Sequence, residues 1–240
     1  MRHAMITRMS SRLVLMVMVF TTTIARAEGL PELLAGIESN ARFGVPTRAD
    51  VRITRGTAST DAVLLGHGRV VYFEVKDGVR ALLRPGKALV QSRGRAAPAI
   101  LGLALPGTDL LLEDLEVFTA SALRTPLVSD DSPAGVVVTG APAYGSAYAL
   151  LVYTIDRGRH AVVRTQYYRD TTSNLVKVRR DGALVHVDGH WRPGEVTVED
   201  LPGSTSTQLR LTWRAVPDTP HSVFTPAGMR GPSQIEWPPG

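Results

Sequence analysis

The 240-residue chain contains no cysteine. That absence excludes a disulfide framework, thiol catalysis and thiolate metal sites, so an exported domain of this sequence would be held by its core alone. Aromatic residues make up only 6%, and no concentrated basic face is interleaved with them. Nucleic-acid binding, which needs both, is excluded on that ground. No apolar run reaches the roughly 20 residues that span a bilayer, and no internal repeat marks a solenoid. The G-x-S-x-G elbow of serine hydrolases is missing too, since Ala143-Tyr144-Gly145-Ser146-Ala147 does not supply it. The paired carboxylates Asp130-Asp131 fall in an expected turn beside Pro133. The chain does not read as an enzyme, and neither a cofactor nor a metal is expected.

What is present begins with a leader. Arg2, Arg8 and Arg12 precede an apolar run from Leu13 to Phe20, and Ala25-Arg26-Ala27 offers a small-residue cleavage site. This order predicts a secretory signal peptide over residues 1–27, cut after Ala27. Without a cysteine at the cut there is nowhere to attach a lipid anchor, so a soluble periplasmic protein is expected. The chain has 27 basic and 22 acidic side chains, a net charge of +5, but residues 1–27 hold four arginines and no acid. The remainder carries 23 basic against 22 acidic residues, which is nearly neutral.

Residues 30–41 place Leu33, Leu34, Ile37 and Ala41 on one helical face, with Pro31 in the first turn and Gly44 and Pro46 as the stop. A two-residue period then takes over. Ala49, Val51 and Ile53 alternate with polar neighbours, as do Val71, Phe73 and Val75; Asp77-Gly78 turns the chain into Val79, Ala81 and Leu83, and Pro85-Gly86 into residues 88–90. Residues 92–121 break the rhythm, with a short helix around Leu112, Leu115 and Phe118 capped by Asp109. Strands are expected again over 122–129, 134–140, 147–155, 161–169, 174–187, 191–199 and 205–216, with turns at Asp181-Gly182 and Asp188-Gly189. The result is a mainly β fold of about eleven strands, a strongly curved antiparallel sheet with an N-terminal helix and a short helical lid. It is expected as one domain over residues 28–226, followed by a Pro- and Gly-rich tail, 227–240, that covers an edge or stays loose.

The segment Gly107-Thr108-Asp109-Leu110-Leu111-Leu112-Glu113-Asp114-Leu115 resembles a G-S-D-F-x-x-E-D-L stretch of the outer-membrane lipoprotein-sorting (LolA-like) proteins. Tyr153 to Arg157, Gln166-Tyr167-Tyr168, Leu175-Val176-Lys177, Val187 to Pro193, Val198 to Leu201, Ser206-Thr207 and Val223 to Pro226 follow in that family's order. The resemblance covers residues 107–226. Leu110 and Leu112 depart from it, standing where aromatics are common, and the first half is too divergent to transfer individual residues. It implies an incomplete barrel closed by a helical lid, whose apolar hollow receives the acyl chains of lipoproteins or lipids. It also implies an inner-membrane exporter as donor and an outer-membrane acceptor as receiver.

The candidate groove and lid residues are Val51, Ile53, Val71, Phe73, Leu112, Leu115, Phe118, Leu151, Tyr153, Tyr167 and Leu211. The inward-facing positions of a curled sheet would line such a hollow, although the same alternation also describes plain core. Glu113 and Asp114 fit either a moving lid or a stabilised helix N-terminus. His186 and His190 straddle a turn and lack a third ligand, and His67, His160 and His221 stand alone. Arg93, Arg95 and Arg179-Arg180 read as solvated positions. A monomeric acyl-chain carrier is the leading expectation. A non-carrier adaptor of an exporter, with a filled interior, is the alternative, and a lipocalin-like binder of another apolar ligand comes third.

Overall fold

The computed structural model describes residues 28–92, 95–132, 135–170 and 172–237; the expected leader lies outside them. Among the described residues one α-helix, α1 (Leu30–Ala41), precedes the sheet. Its strands are β1 (Phe43–Arg55), β2 (Ala58–Gly68), β3 (Val70–Val75), β4 (Arg80–Arg84), β5 (Lys87–Ser92) and β6 (Arg95–Ala99) in the first half. The second half supplies β7 (Leu123–Ser132), β8 (Gly135–Pro142), β9 (Leu150–Asp156), β10 (Ala161–Tyr168), β11 (Leu175–Val187), β12 (His190–Asp200) and β13 (Thr205–Ala215).

These form one antiparallel, curved and unclosed sheet in the order β6-β5-β4-β3-β2-β1-β13-β12-β11-β10-β9-β8-β7. Each half is a meander of short connections. The halves join where β1 pairs with β13, in register from Thr47 opposite Ala215 to Arg55 opposite Thr207. The one long connection, residues 100–122, runs from edge strand β6 to edge strand β7.

Two strands lie beyond the eleven expected. β2 carries the unbroken run Ala62-Val63-Leu64-Leu65, all buried, because Ala62 and Leu64 face the inner core while Val63 and Leu65 face the C-terminal segment. A strand covered on both faces loses its alternation. β6 is a short, largely exposed edge containing Pro98, which the edge of a sheet tolerates. Three turn expectations are also corrected. Gly44 and Pro46 do not stop the helix, which ends at Ala41; they lie in β1, where the register against β2 shifts between Phe43 and Thr47. Asp181-Gly182 is not a hairpin turn but lies inside β11, opposite Val196 and Glu195. Asp130-Asp131 likewise belong to β7, paired with Val137 and Val136 of β8.

The inner face is filled from two sides. Leu33, Leu34 and Ile37 of α1 pack on Val136, Val138, Leu151, Ile155 and Tyr167, while Leu101, Leu105, Leu110, Leu112 and Leu115 of the long connection pack on Val51, Phe73, Leu83 and Val198. The tail reaches edge strand β6, its Gly228–Arg230 turn packing on β4 and β6. On the outer face Met229 of the tail, with Val223 and Phe224 just before it, buries against Val63, Leu65, Tyr72 and Leu82. Burial of such side chains contributes about 1.5–3 kcal/mol each. No helix of the described residues is long and apolar enough to cross a membrane.

Candidate functional site

Residues 100–118 form a strap across the inner face. Its first part folds back on itself: the Leu112 N–H donates to the Leu103 carbonyl (3.0 Å), the Glu113 N–H to the Leu101 carbonyl (3.0 Å) and the Leu105 N–H to the Leu110 carbonyl (2.9 Å). Gly107 turns the loop in the left-handed region (φ 76°), where a Cβ is strained. The expected lid helix is a single 3-10 turn, Leu112–Leu115, rather than a helix reaching Phe118.

Four strap carboxylates fasten it to different strands or turns. Asp109 is not a helix cap: its oxygens accept from the hydroxyls of Thr205 (2.7 Å) and Thr207 (2.8 Å), and it pairs with Arg55 (3.0 Å). Burial works to raise the Asp109 carboxyl, but those hydrogen bonds and Arg55 outweigh it and hold it below the ordinary value. Glu113 accepts from the Ser146 hydroxyl and the Ala147 N–H (3.1 Å). Burial still raises its carboxyl despite them. Asp114 pairs with Lys177, accepts the Leu111 N–H (2.6 Å), and offers its own carbonyl to Arg179. Glu116 accepts the Gly86 N–H (2.9 Å) at the turn between β4 and β5. Burial pushes the Glu116 carboxyl up to about 7, with repulsion from Glu113 adding to it and the Gly86 bond opposing it. The strap thereby spans the gap between the two ends of the sheet.

α1 is clipped down similarly. Arg192 of β12 donates to the Asn40 and Arg42 carbonyls (2.5 and 2.7 Å), where positive charge suits a helix C-terminus. Desolvation lowers its guanidinium to about 10. Glu38 pairs with Arg69 and accepts the Ala120 N–H (2.8 Å) at the end of the strap's connection.

Between sheet, strap and α1 lies a cavity of about 260 Å³. Val51, Val71, Phe73, Leu115, Phe118, Leu151, Tyr153, Tyr167 and Leu211 all line it. Ile53 and Leu112 do not; each is almost fully buried in the core beneath. Apolar Leu64, Leu110, Val196, Leu209 and Trp213 also line the cavity, beyond the candidates that the sequence suggests. Their signal is the same alternation, visible in Leu209, Leu211 and Trp213. Phe118 meets Tyr153 edge-on, with ring centroids 5.6 Å apart.

The polar lining is less legible. In sequence Arg179 looks like a solvated twin of Arg180, but the strand's alternation separates them. Arg180 points out to Glu199, while Arg179 turns inward and is held by both oxygens of Asp181 (2.6 and 2.8 Å). Buried against that carboxylate, its guanidinium is shifted up, Asp181 outweighing the opposing desolvation. His160 is not isolated: it lines the cavity and contacts Glu28 (3.0 Å). His67 packs against His221 and Phe224. His186 packs on Trp191, and among the described residues no group of three His, Asp or Glu side chains could hold a metal.

A family model described only as "uncharacterized protein" matches residues 95–231. The chain belongs to that family. Its fold is the LolA-like one. The putative outer membrane lipoprotein-sorting protein domain from Vibrio parahaemolyticus superposes with a TM-score of 0.69 at 15% identity, over 82% of this chain and 97% of that one. A DUF1329 family protein from Desulfovibrio piger gives 0.66 at 16% identity, over 81% and 98%. A LolA superfamily protein from Nitrosomonas europaea gives 0.63 at 14% identity, over 81% and 96%. No curated protein matches the chain.

Proposed function

We propose that this protein is a carrier that shields acyl chains of lipids or lipoproteins in the cavity between sheet, strap and α1. The observation that carries the reading is that cavity: nine side chains from five strands and the strap converge on it, all but the two tyrosines without a polar atom. Each methylene moved from water into such a lining contributes about 0.8 kcal/mol, so reversible binding needs no covalent chemistry. Its volume lies just below the roughly 300–1,000 Å³ usual for ligand pockets. Cargo larger than one chain therefore requires the strap to shift. Val51, Val71, Phe73, Leu115, Phe118, Leu151, Tyr153, Tyr167 and Leu211 are the proposed contacts, with Ile53 and Leu112 supporting them from beneath.

The protein works in the periplasm as a monomer, released by cleavage after Ala27, and takes cargo from an inner-membrane exporter to an outer-membrane acceptor. The LolA-like fold, shared with the lipoprotein-sorting domain of the Vibrio protein, supports this assignment. One observation favours the alternative, an accessory protein of an exporter: four carboxylates fasten the strap in place.

The test is native mass spectrometry with lipid extraction on protein purified from its own envelope, together with N-terminal sequencing. A co-purifying or loadable acyl lipid and an N-terminus at Glu28 are expected. A protein that neither brings nor accepts any acyl ligand is the accessory protein instead.

A further inference from the structure

The proposed groove is not uniformly apolar, and its polar part has a pattern. Tyr153 on β9 lies directly opposite Thr165 on β10, and Thr165 lies opposite Arg179 on β11, so the three form one cross-strand row on the inner face. Tyr167 stands one inward position along β10, diagonal to Tyr153. All four line the cavity. Thr165 and Tyr167 are more than nine-tenths buried. Yet the hydroxyls of Tyr153, Thr165 and Tyr167 make no hydrogen bond with any described residue, and each oxygen keeps some accessible surface.

Three hydroxyls without a protein partner on one wall of a cavity leave their O–H groups free to donate to a ligand there. Their neighbours decide what they could bind. The Arg179 guanidinium is taken by Asp181 and by the Asp114 carbonyl, so its charge is already met. Lys177, beside the Tyr167 ring, is likewise met by Asp114. Arg192, also on the lining, donates to the Asn40 and Arg42 carbonyls and His160 contacts Glu28, whereas Glu113 and Glu116 line the same cavity without an ion-pair partner. An anionic head would therefore be repelled, since like charges brought together in a desolvated place disfavour ionisation. A neutral acceptor suits the site, because hydroxyl O–H groups donate to a carbonyl oxygen at no charge cost.

We infer that Tyr153, Thr165 and Tyr167 form a polar subsite that holds the carbonyl of an uncharged acyl ester or amide and discriminates against free fatty acids. The inference rests on the carrier reading and names the chemical class of its cargo. The acyl tail then runs along the apolar lining, and the linked carbonyl is read at the row on β9 and β10. An ester and an amide share this acceptor, so matched probes separate the two sources.

The experiment displaces a fluorescent apolar dye from the mature protein at neutral pH with three probes of equal chain length. These are monolaurin as ester, N-lauroylethanolamine as amide and laurate as free acid. Ester and amide are expected to compete about tenfold better than laurate, a difference of about 1.4 kcal/mol. The triple variant Tyr153→Phe, Thr165→Val, Tyr167→Phe, with each probe read against that variant's own dye affinity, should bring the three probes within about twofold. The single variant Tyr153→Phe, which removes one hydroxyl and no packing, should narrow the ratio if the triple variant does not fold. Equal competition by all three in the unaltered protein, or a preference unchanged in Tyr153→Phe and in the triple variant, overturns this inference and leaves the carrier standing. Failure of the dye and every probe to bind overturns both.

Discussion

Asp114 on the strap and Lys177 on β11 form an ion pair, with 0% and 4% of their side chains exposed. The Lys177 ammonium also lies 5.3 Å from the Tyr167 ring centroid and 5.8 Å from that of Tyr148. Such a pair is asymmetric in its energetics. Removing one partner strands a buried charge, whereas replacing both with apolar groups removes the desolvation penalty as well. Lys177→Met alone should therefore cost about 3–5 kcal/mol in urea unfolding, and Asp114→Leu with Lys177→Met much less. A double variant as unstable as the single one would show that the pair itself holds the strap.

Asp109 fastens the other end of the strap through Thr205, Thr207 and Arg55. Asp109→Ala leaves the buried Thr207 hydroxyl and the half-buried Thr205 hydroxyl short of an acceptor and should cost about 1–3 kcal/mol. Hydrogen exchange should quicken at residues 105–112 before it quickens in β9 to β12. Uniform quickening across the sheet would mean that Asp109 supports the whole fold rather than the strap.

Glu116 should make stability fall as pH rises. Its carboxyl is shifted from 4.5 to about 7, so between those values the folded state holds more protons than the unfolded one. The stability present below about 4.5 is then lost as pH climbs through about 7. Glu116→Gln removes the ionisation and should flatten this part of the profile. With allowance for partial solvent access, it should gain on the order of 1–2 kcal/mol above neutrality. Thermal unfolding across that window measures it, and identical slopes in both proteins would contradict the assignment.

Leu211 lines the cavity and is only partly buried, so there is room at this position. Leu211→Trp should fill part of the hollow and weaken dye and acyl binding severalfold, with the melting temperature little changed. Undiminished binding would place the ligand elsewhere.

Met229 is fully buried on the outer face. Met229→Ala should cost about 2–5 kcal/mol, the range for emptying a packed site. A change below about 0.5 kcal/mol, the usual size for a surface position, would mean that the tail is not part of the core.

α1 is legible residue by residue, because Leu33, Leu34 and Ile37 lie on one stripe and Pro31 marks the first turn. Most of the strands are legible as well, since β1, β3 and β9 to β13 each carry a two-residue period. Nine of eleven candidate residues reach the cavity, seven of them because inward alternation on a curled sheet converges, and Leu115 and Phe118 from the strap. β2 escapes because both of its faces are covered. The strap acids are visible, but their partners are not, since nothing in Asp109, Glu113, Asp114 or Glu116 names Thr205, Ala147, Lys177 or Gly86.

By itself, then, the sequence determined the local elements, the antiparallel habit set by short turns, the absence of any thiol chemistry and the likeness to a lipoprotein-sorting family. Only the tertiary structure decided that β1 pairs with β13. It alone decided that residues 100–118 cross the inner face, and that Tyr153, Thr165 and Tyr167 line one cavity. The physical reason is one of range. Periodicity reports which side of an element is buried, while pairing across more than a hundred residues depends on which surfaces fit when the sheet curls.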